Sequence, residues 1–154
     1  MDRSYLAPNA TVVGDVILEE NVSVWYGAVI RGDSGAIRIG AGTNIQDNAV
    51  IHDGTSIGKG CTVGHGAIVH GGTVGDNCLI GMGAIVLNGA VLERDCIVGA
   101  GALVTGKTHA SPGSLLLGSP AKVVKSVTGE QIEGNVRNAQ HYVELAKKSL
   151  RPAP

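Results

Sequence analysis

The stretch Asn44–Gly72, NIQDNAVIHDGTSIGKGCTVGHGAIVHGG, decides the fold. Aliphatic residues recur in it at Ile45, Ile51, Ile57, Val63 and Val69, always six residues apart. A period of six fits neither the 3.6-residue turn of a helix nor a long simple alternation. It fits a solenoid in which each hexad is one short strand plus one corner, and three hexads complete a turn of a triangular prism. The same stretch holds three of the chain's five histidines, and the repeat fixes where they stand. His52 and His70 each follow a repeat aliphatic directly and lie 18 residues apart, one full coil. They therefore stack on one face, separated by roughly one inter-strand spacing of 4.8 Å. At that spacing two imidazoles can reach one metal ion through bonds of about 2.0–2.1 Å. His65 lies two residues after its aliphatic, Val63, and belongs to the neighbouring face. Outward side chains of neighbouring faces diverge around a convex corner, so His65 is placed to join the pair of an adjacent copy instead of its own. The spacing suggests a three-histidine metal site shared between subunits.

Upstream, the repeat starts near Val12 and continues through Leu18, Val24 and Ile30. The next aliphatic in phase is Ile39, nine residues on, and the three extra residues fall in Arg31–Gly35, RGDSG. A small excursion from the coil is expected there. Downstream, Val74 arrives one residue early, which marks Gly71-Gly72 as a tightened corner; Ile80, Val86, Leu92, Val98 and Val104 follow. About five to six coils result. Tyr5–Asn9 is placed to cover one end, and Ser111–Ser126, SPGSLLLGSPAKVVKS, leaves the repeat through two prolines. Thr128 and Gln131 have the spacing of a capping box. Ile132, Val136, Ala139, Val143, Ala146 and Leu150 then form one apolar stripe of a helix predicted to lie along the prism. The organisation read from the chain is a β-solenoid over residues 1–119, then a linker and packed helix over 120–154, as one structural unit.

Composition agrees with a thin prism. The chain of 154 residues has 24 glycines, no phenylalanine, one tryptophan and three tyrosines, so its core is filled by small aliphatics. Twelve Lys+Arg against 13 Asp+Glu leave a net charge of −1, with no signature of nucleic-acid or anionic-membrane binding. The sequence MDRSYLAPNA has no apolar run of a signal peptide, and no stretch approaches the ~20 apolar residues of a membrane span. Cys61, Cys78 and Cys96 each sit four residues after a repeat aliphatic, as a column of small residues near one corner. Their structural reading is buried reduced thiols, with redox or metal chemistry as the alternatives; a reducing, cytoplasmic location is expected.

VIRGD at 29–33, TNIQD at 43–47, VIH at 50–52 and GHGAIVH at 64–70, with LLLGSPAK at 115–122 and HYVELAKK at 141–148, resemble the gamma-class carbonic anhydrase family over nearly the whole chain. Hexapeptide repeats alone are shared with many acyltransferases; the combined set is specific. The resemblance implies a left-handed parallel β-helix, a homotrimer and metal sites at the subunit interfaces. The left hand rests on the resemblance alone, because sheet crossovers are otherwise almost always right-handed. The resemblance further implies His52, His65 and His70 as ligands of zinc; iron(II) or cobalt suits the same imidazoles. It implies Gln46 as the group orienting metal-bound water or bicarbonate, Arg31 and Asp33 as an ion pair near the interface, and Asp47 and Asn44 as supporting groups. Against these roles stand plainer ones: Arg31 and Asp33 closing the RGDSG segment, and Gln46 as an ordinary outward polar residue. Tyr142 is a candidate to reach toward the metal pocket, whereas His109 and His141 read as surface or packing residues.

The implied activity is the reversible hydration of carbon dioxide to bicarbonate by a metal-bound hydroxide. This chain departs from fully equipped relatives in two places. Ser34 stands where they carry a glutamate, and His52 is followed directly by DGTSIG, without the acidic loop that serves proton export. Asp53 is the only nearby acid. Two other classes of function compete: a coenzyme A thioesterase or acyltransferase of the hexapeptide type, and a catalytically weak assembly trimer that keeps its metal for stability.

Overall fold

Side chains alternate across a strand, so one aliphatic per hexad points to the prism axis. Ile30, Ile45, Ile51, Val63, Val69, Ile80, Val86, Val98 and Val104 are all fully buried. Each contributes about 1.5–3 kcal/mol on burial. The computed structural model describes residues 3–154, and within them the chain winds into a left-handed parallel β-helix of about six coils with one α-helix. On the first face Ser23–Val24, Asn44–Ile45, Thr62–Val63, Leu79–Ile80 and Ile97–Val98 stack in parallel. The second carries Val50–His52, Ile68–His70, Ile85–Val86 and Leu103–Val104. The third carries Ser56–Ile57, Thr73–Val74, Val91–Leu92 and His109–Ala110. Ser56 pairs with Thr73, seventeen residues on, which is the tightened corner expected at Gly71-Gly72.

Buried small residues line the corners: Ala28, Ala49, Ala67, Ala84 and Ala102 at one, and Thr43, Cys61, Cys78 and Cys96 at another. The three cysteines are free and buried. Their thiols donate to carbonyl oxygens of Gly75, Glu93 and Ser111 at 3.1–3.3 Å. Hydrogen bonding with Cys61 and Cys96, and then burial, push the Cys78 thiol up. On the second face the outward positions Val29, Val50, Ile68, Ile85 and Leu103 are in register and half-buried, forming an apolar ladder.

One expectation needs correction, and two others gain detail. The RGDSG residues do not loop out of the coil. They lie inside one continuous strand, Val29–Ile39, which passes from the second face to the third and pairs with Thr11–Leu18. The two strands absorb the extra length together, with an irregularity between Gly14 and Val16. A Cβ at Gly32 would collide with the Asp15 carbonyl, so this close approach requires glycine. The repeat continues past Pro112, inside the span of residues 1–119 read for the solenoid. Ser114–Gly118 still stacks on Ile97–Val98 before it turns back antiparallel into Ala121–Ser126, a hairpin at this end of the prism. Tyr5–Leu6 is itself a strand of the first face, and Arg151–Pro152, arriving from beyond the helix, pairs on its outer edge.

The helix runs over Gly129–Ser149 and starts with the capping box of Thr128 and Gln131. Ala139, Ala146 and Leu150 of the expected stripe are buried, but Val136 is 41% exposed. Tyr142 and Leu145 take its place in the contact, packing with Ala7, Trp25, Ala146 and Leu150. Trp25 is the cause: Tyr142 meets its ring edge-on, with centroids 5.4 Å apart, and so rotates the contact stripe around the helix.

Candidate metal centre

His52 lies opposite His70 in the parallel pairing of Val50–His52 with Ile68–His70. Ile51 and Val69 point to the core, so the histidine one step further points outward. The rings sit 5.1 Å apart, and His52 Nδ1 faces His70 Nε2 at 3.2 Å. Two nitrogens bound to one tetrahedral ion through bonds of about 2.0–2.1 Å stand about 3.4 Å apart, so this pair fits a shared ion. On its other side His52 Nε2 lies 3.0 Å from Asp33 Oδ1, and Arg31 Nη1 donates to Asp33 Oδ2 at 2.7 Å. The contact with His52, and then that with Arg31, hold the Asp33 carboxyl down at about 2, against its ordinary 3.8. The third neighbour is Asn88. It accepts from His70 Nδ1 through Oδ1 and donates from Nδ2 to Asp53 at 2.5 Å.

His65 occupies the turn between Thr62–Val63 and Ile68–His70, at a corner of the prism. Asp47, one coil below, lies with Oδ2 2.8 Å from His65 Nδ1. A carboxylate beside Nδ1 leaves Nε2 as the nitrogen of His65 turned away from Asp47. Among the described residues, no three His, Cys, Asp or Glu side chains converge closely enough to hold an ion. One chain therefore presents two half-sites: the His52–His70 pair on a face, and His65 at a corner.

Behind His65 runs a buried polar chain. Gln46 Nε2 donates to Asn44 Oδ1 at 3.0 Å, and Asn44 Nδ2 donates to Thr62 Oγ1 at 2.9 Å. Asn138, on the helix, donates to the same Thr62 oxygen at 3.1 Å. Asn44 thus fixes the rotamer of Gln46, whose Oε1 is left for the adjoining cleft. This cleft, of about 420 Å³, has Gln46, His65, Met82, Asn138 and Tyr142 on its walls and extends along Leu79 and Ile97. Burial, and then the Asp47 carboxylate, push the Tyr142 hydroxyl up. His109 faces Glu93 at 3.4 Å on the exposed third face, away from this cluster, and His141 lies exposed beside Tyr142.

The structure thus brings Arg31, Asp33, His52 and His70 together, and separately Asn44, Gln46, Asp47 and His65. Sequence reasoning missed Asn88 and Asn138. Asn88 carries only a weak signal, since the coil past His70 is 17 residues long, pairing Val69 with Val86, and Asn88 stands one step off the position opposite His70. Asn138 carries none, because only the docking of the helix places it.

The family model described as bacterial transferase hexapeptide (six repeats) matches residues 36–71 and 71–106. The mitochondrial gamma carbonic anhydrase 2 of Arabidopsis thaliana is 42% identical over 153 residues, which are 93% of this chain and 55% of that protein. The chain thus spans about half the length of that relative. A probable carbonic anhydrase of Methanocaldococcus jannaschii is 47% identical over 146 residues, 92% of each chain. Among solved structures, a hexapeptide transferase family protein from Anaplasma phagocytophilum superimposes with a TM-score of 0.93 at 43% identity, covering 96% of this chain and 90% of that one. With its coils, its histidine stack and these identities over nearly its whole length, the chain belongs to the gamma-class carbonic anhydrase family of hexapeptide-repeat proteins.

Proposed function

We propose that the chain assembles as a homotrimer and catalyses the reversible hydration of carbon dioxide, with His52 and His70 of one copy and His65 of the next holding a zinc-type ion at each interface. The observation that carries this reading is the pair of ring nitrogens facing each other at 3.2 Å, while His65, turned by Asp47, stands on a different corner. The apolar ladder beside the histidine column supplies a surface for the second copy. Iron(II) or cobalt fits the same three imidazoles. When bound, such an ion supplies Lewis acidity that brings the pKa of water from 15.7 to about 7.

The chain's own residues do the rest. Gln46, held by Asn44, points its amide oxygen into the cleft, where it can accept a hydrogen bond from the attacking water. Leu79, Met82 and Ile97 offer carbon dioxide an apolar wall. Arg31, neutralised by Asp33, holds the edge of the interface next to His52. Each turnover releases a proton, and Asp53, 3.9 Å from His70 Nδ1, is an acid beside the pair that can carry it. With Ser34 in place of an acid, turnover is expected to rise with buffer concentration at saturating carbon dioxide. The decisive experiment is a hydration assay on anaerobically purified protein of known metal content. Metal-loaded trimer that hydrates carbon dioxide no faster than buffer would overturn the proposal.

A second reading is favoured by the size of the cleft. It continues from His65 over the side-chain-free positions Gly64, Gly81 and Gly99, more room than carbon dioxide needs. An extended acyl thioester would fill that length, and the same water-activating residues would then hydrolyse it. Release of free thiol from an acyl-coenzyme A by the same preparation distinguishes this reading. Failure of both assays on intact, metal-loaded trimer leaves an assembly role.

A further inference from the structure

We propose that Asn88, held by Asp53, is the positioning residue of His70: it sets the tautomer of the ring and aims its Nε2 at the shared ion. The proposal rests on the reading of His70 as a metal ligand. A primary amide can offer an imidazole either its oxygen or its nitrogen, and the two ends look alike. Here the choice is made by Asp53. A carboxylate only accepts, so the amide end facing Asp53 Oδ2, at 2.5 Å, is Nδ2. The other end, Oδ1, then meets His70 Nδ1 and also only accepts. His70 therefore carries a proton on Nδ1 and keeps a lone pair on Nε2, the atom that faces His52 Nδ1.

The corner after His52 uses the left-handed conformation found also at Asn21, Asn48, Asn77 and Asp95. Asp53 has φ +60° and Gly54 φ +63°, two consecutive left-handed residues directly after His52. Asp and Asn visit that conformation readily, and at this corner the Asp53 carboxylate meets the Asn88 amide. Gly71, at φ +71°, follows His70, and a Cβ there would overlap the Asn88 amide. The other two histidines rest on carboxylates, His52 on Asp33 and His65 on Asp47. His70 Nδ1 meets the Asn88 amide first, with the Asp53 carboxylate behind it at 3.9 Å.

The test compares the native chain with Asn88→Leu, Asp53→Asn and the exchange Asp53→Asn/Asn88→Asp. The exchange keeps an acceptor at 88 and places a donor at 53. The first readout needs no metal: two-bond 1H–15N correlation of the imidazoles in the chelator-treated protein. His70 is expected as the Nδ1–H tautomer in the native chain and in the exchange, and to revert to the Nε2–H form, the usual one in water, in Asn88→Leu. The second is cobalt affinity by chelator competition with the visible cobalt spectrum. Asn88→Leu is expected to weaken it about 10–100-fold, and the exchange to recover most of the loss. A native His70 in the Nε2–H form, an unchanged tautomer in Asn88→Leu, or an exchange no better than Asn88→Leu overturns the proposal. Should Asn88→Leu fail to assemble, the native tautomer and the comparison of Asp53→Asn with the exchange decide it. A native chain that shows the Nδ1–H tautomer but binds no cobalt retains the positioning contact and overturns the metal reading instead.

Discussion

Asp47 and Asp33 hold their histidines in different ways, and substitutions should separate them. Asp47 sits 2.8 Å from His65 Nδ1 at a corner. Asp47→Leu is therefore expected to weaken metal binding about 10–100-fold while the coil around it stays folded. His65→Ala should remove metal and weaken the trimer together, since two imidazoles hold a divalent ion far less tightly than three. His109→Ala should do neither, because its partner is Glu93 on another face. Bound metal per chain and mass by light scattering read all three. Full metal content in His65→Ala would mean that the third ligand lies elsewhere. Asp33 makes a prediction about acid. Its carboxyl titrates at about 2 in the folded chain and at 3.8 when unperturbed, so on acidification the unfolded chain takes up this proton first. The stabilisation from its contacts with His52 and Arg31 is complete above about 3.8 and is lost as pH falls through about 2. Between those values Asp33→Asn should show a shallower decline of stability than the native chain, in denaturant titrations at stepped pH.

Glycine and capping effects belong to the coil and the helix as elements. A Cβ at Gly81 would lie 2.6 Å from the Ala100 nitrogen of the next coil. Gly81→Ala should therefore cost about 1–3 kcal/mol, as an overpacked contact does. Thr128→Ala removes the capping box of the Gly129–Ser149 helix and should cost about 1 kcal/mol. Urea denaturation reads both, and equal costs would mean that coil spacing is softer than backbone contact implies. These elements also mark what the sequence reveals. The hexad at Ile45–Val69 dictates inward aliphatics, and the 18-residue step stacks His52 on His70, because a solenoid turns local spacing into spatial position. The short step to Val74 was legible for the same reason. Arg31–Gly35 was not: added length inside a strand and added length in a loop are identical in sequence, and only pairing with Thr11–Leu18 decides between them. The orientation of the helix was not legible either. Ile132 to Leu150 gives a periodic stripe, but Trp25, more than a hundred residues away in sequence, chooses Tyr142 and Leu145 for the contact. Asn88 was not legible from spacing, because the coil past His70 is 17 residues long and sets Asn88 one step off the position opposite His70.

At the scale of the molecule, the second face presents Val29, Val50, Ile68, Ile85 and Leu103 outward beside the histidine column, half-buried in a single chain. Ile68→Glu places a charge in the middle of that ladder without touching the core. It should yield folded monomer that binds no metal, by light scattering and metal analysis; a metal-loaded Ile68→Glu trimer would place the interface on another face. No helix of the described residues is long and apolar enough to cross a membrane. The separation of His65 from the His52–His70 pair has a consequence for inheritance. Damage to the corner and damage to the face are defects in different halves of a shared centre, so they should behave as two complementation groups within one gene. Chains carrying only His65→Ala and chains carrying only His52→Ala are each expected to be inert. Unfolded together and reassembled, they should restore roughly a quarter of the interfaces by random assortment around a three-fold ring, each built from one defective copy of either kind.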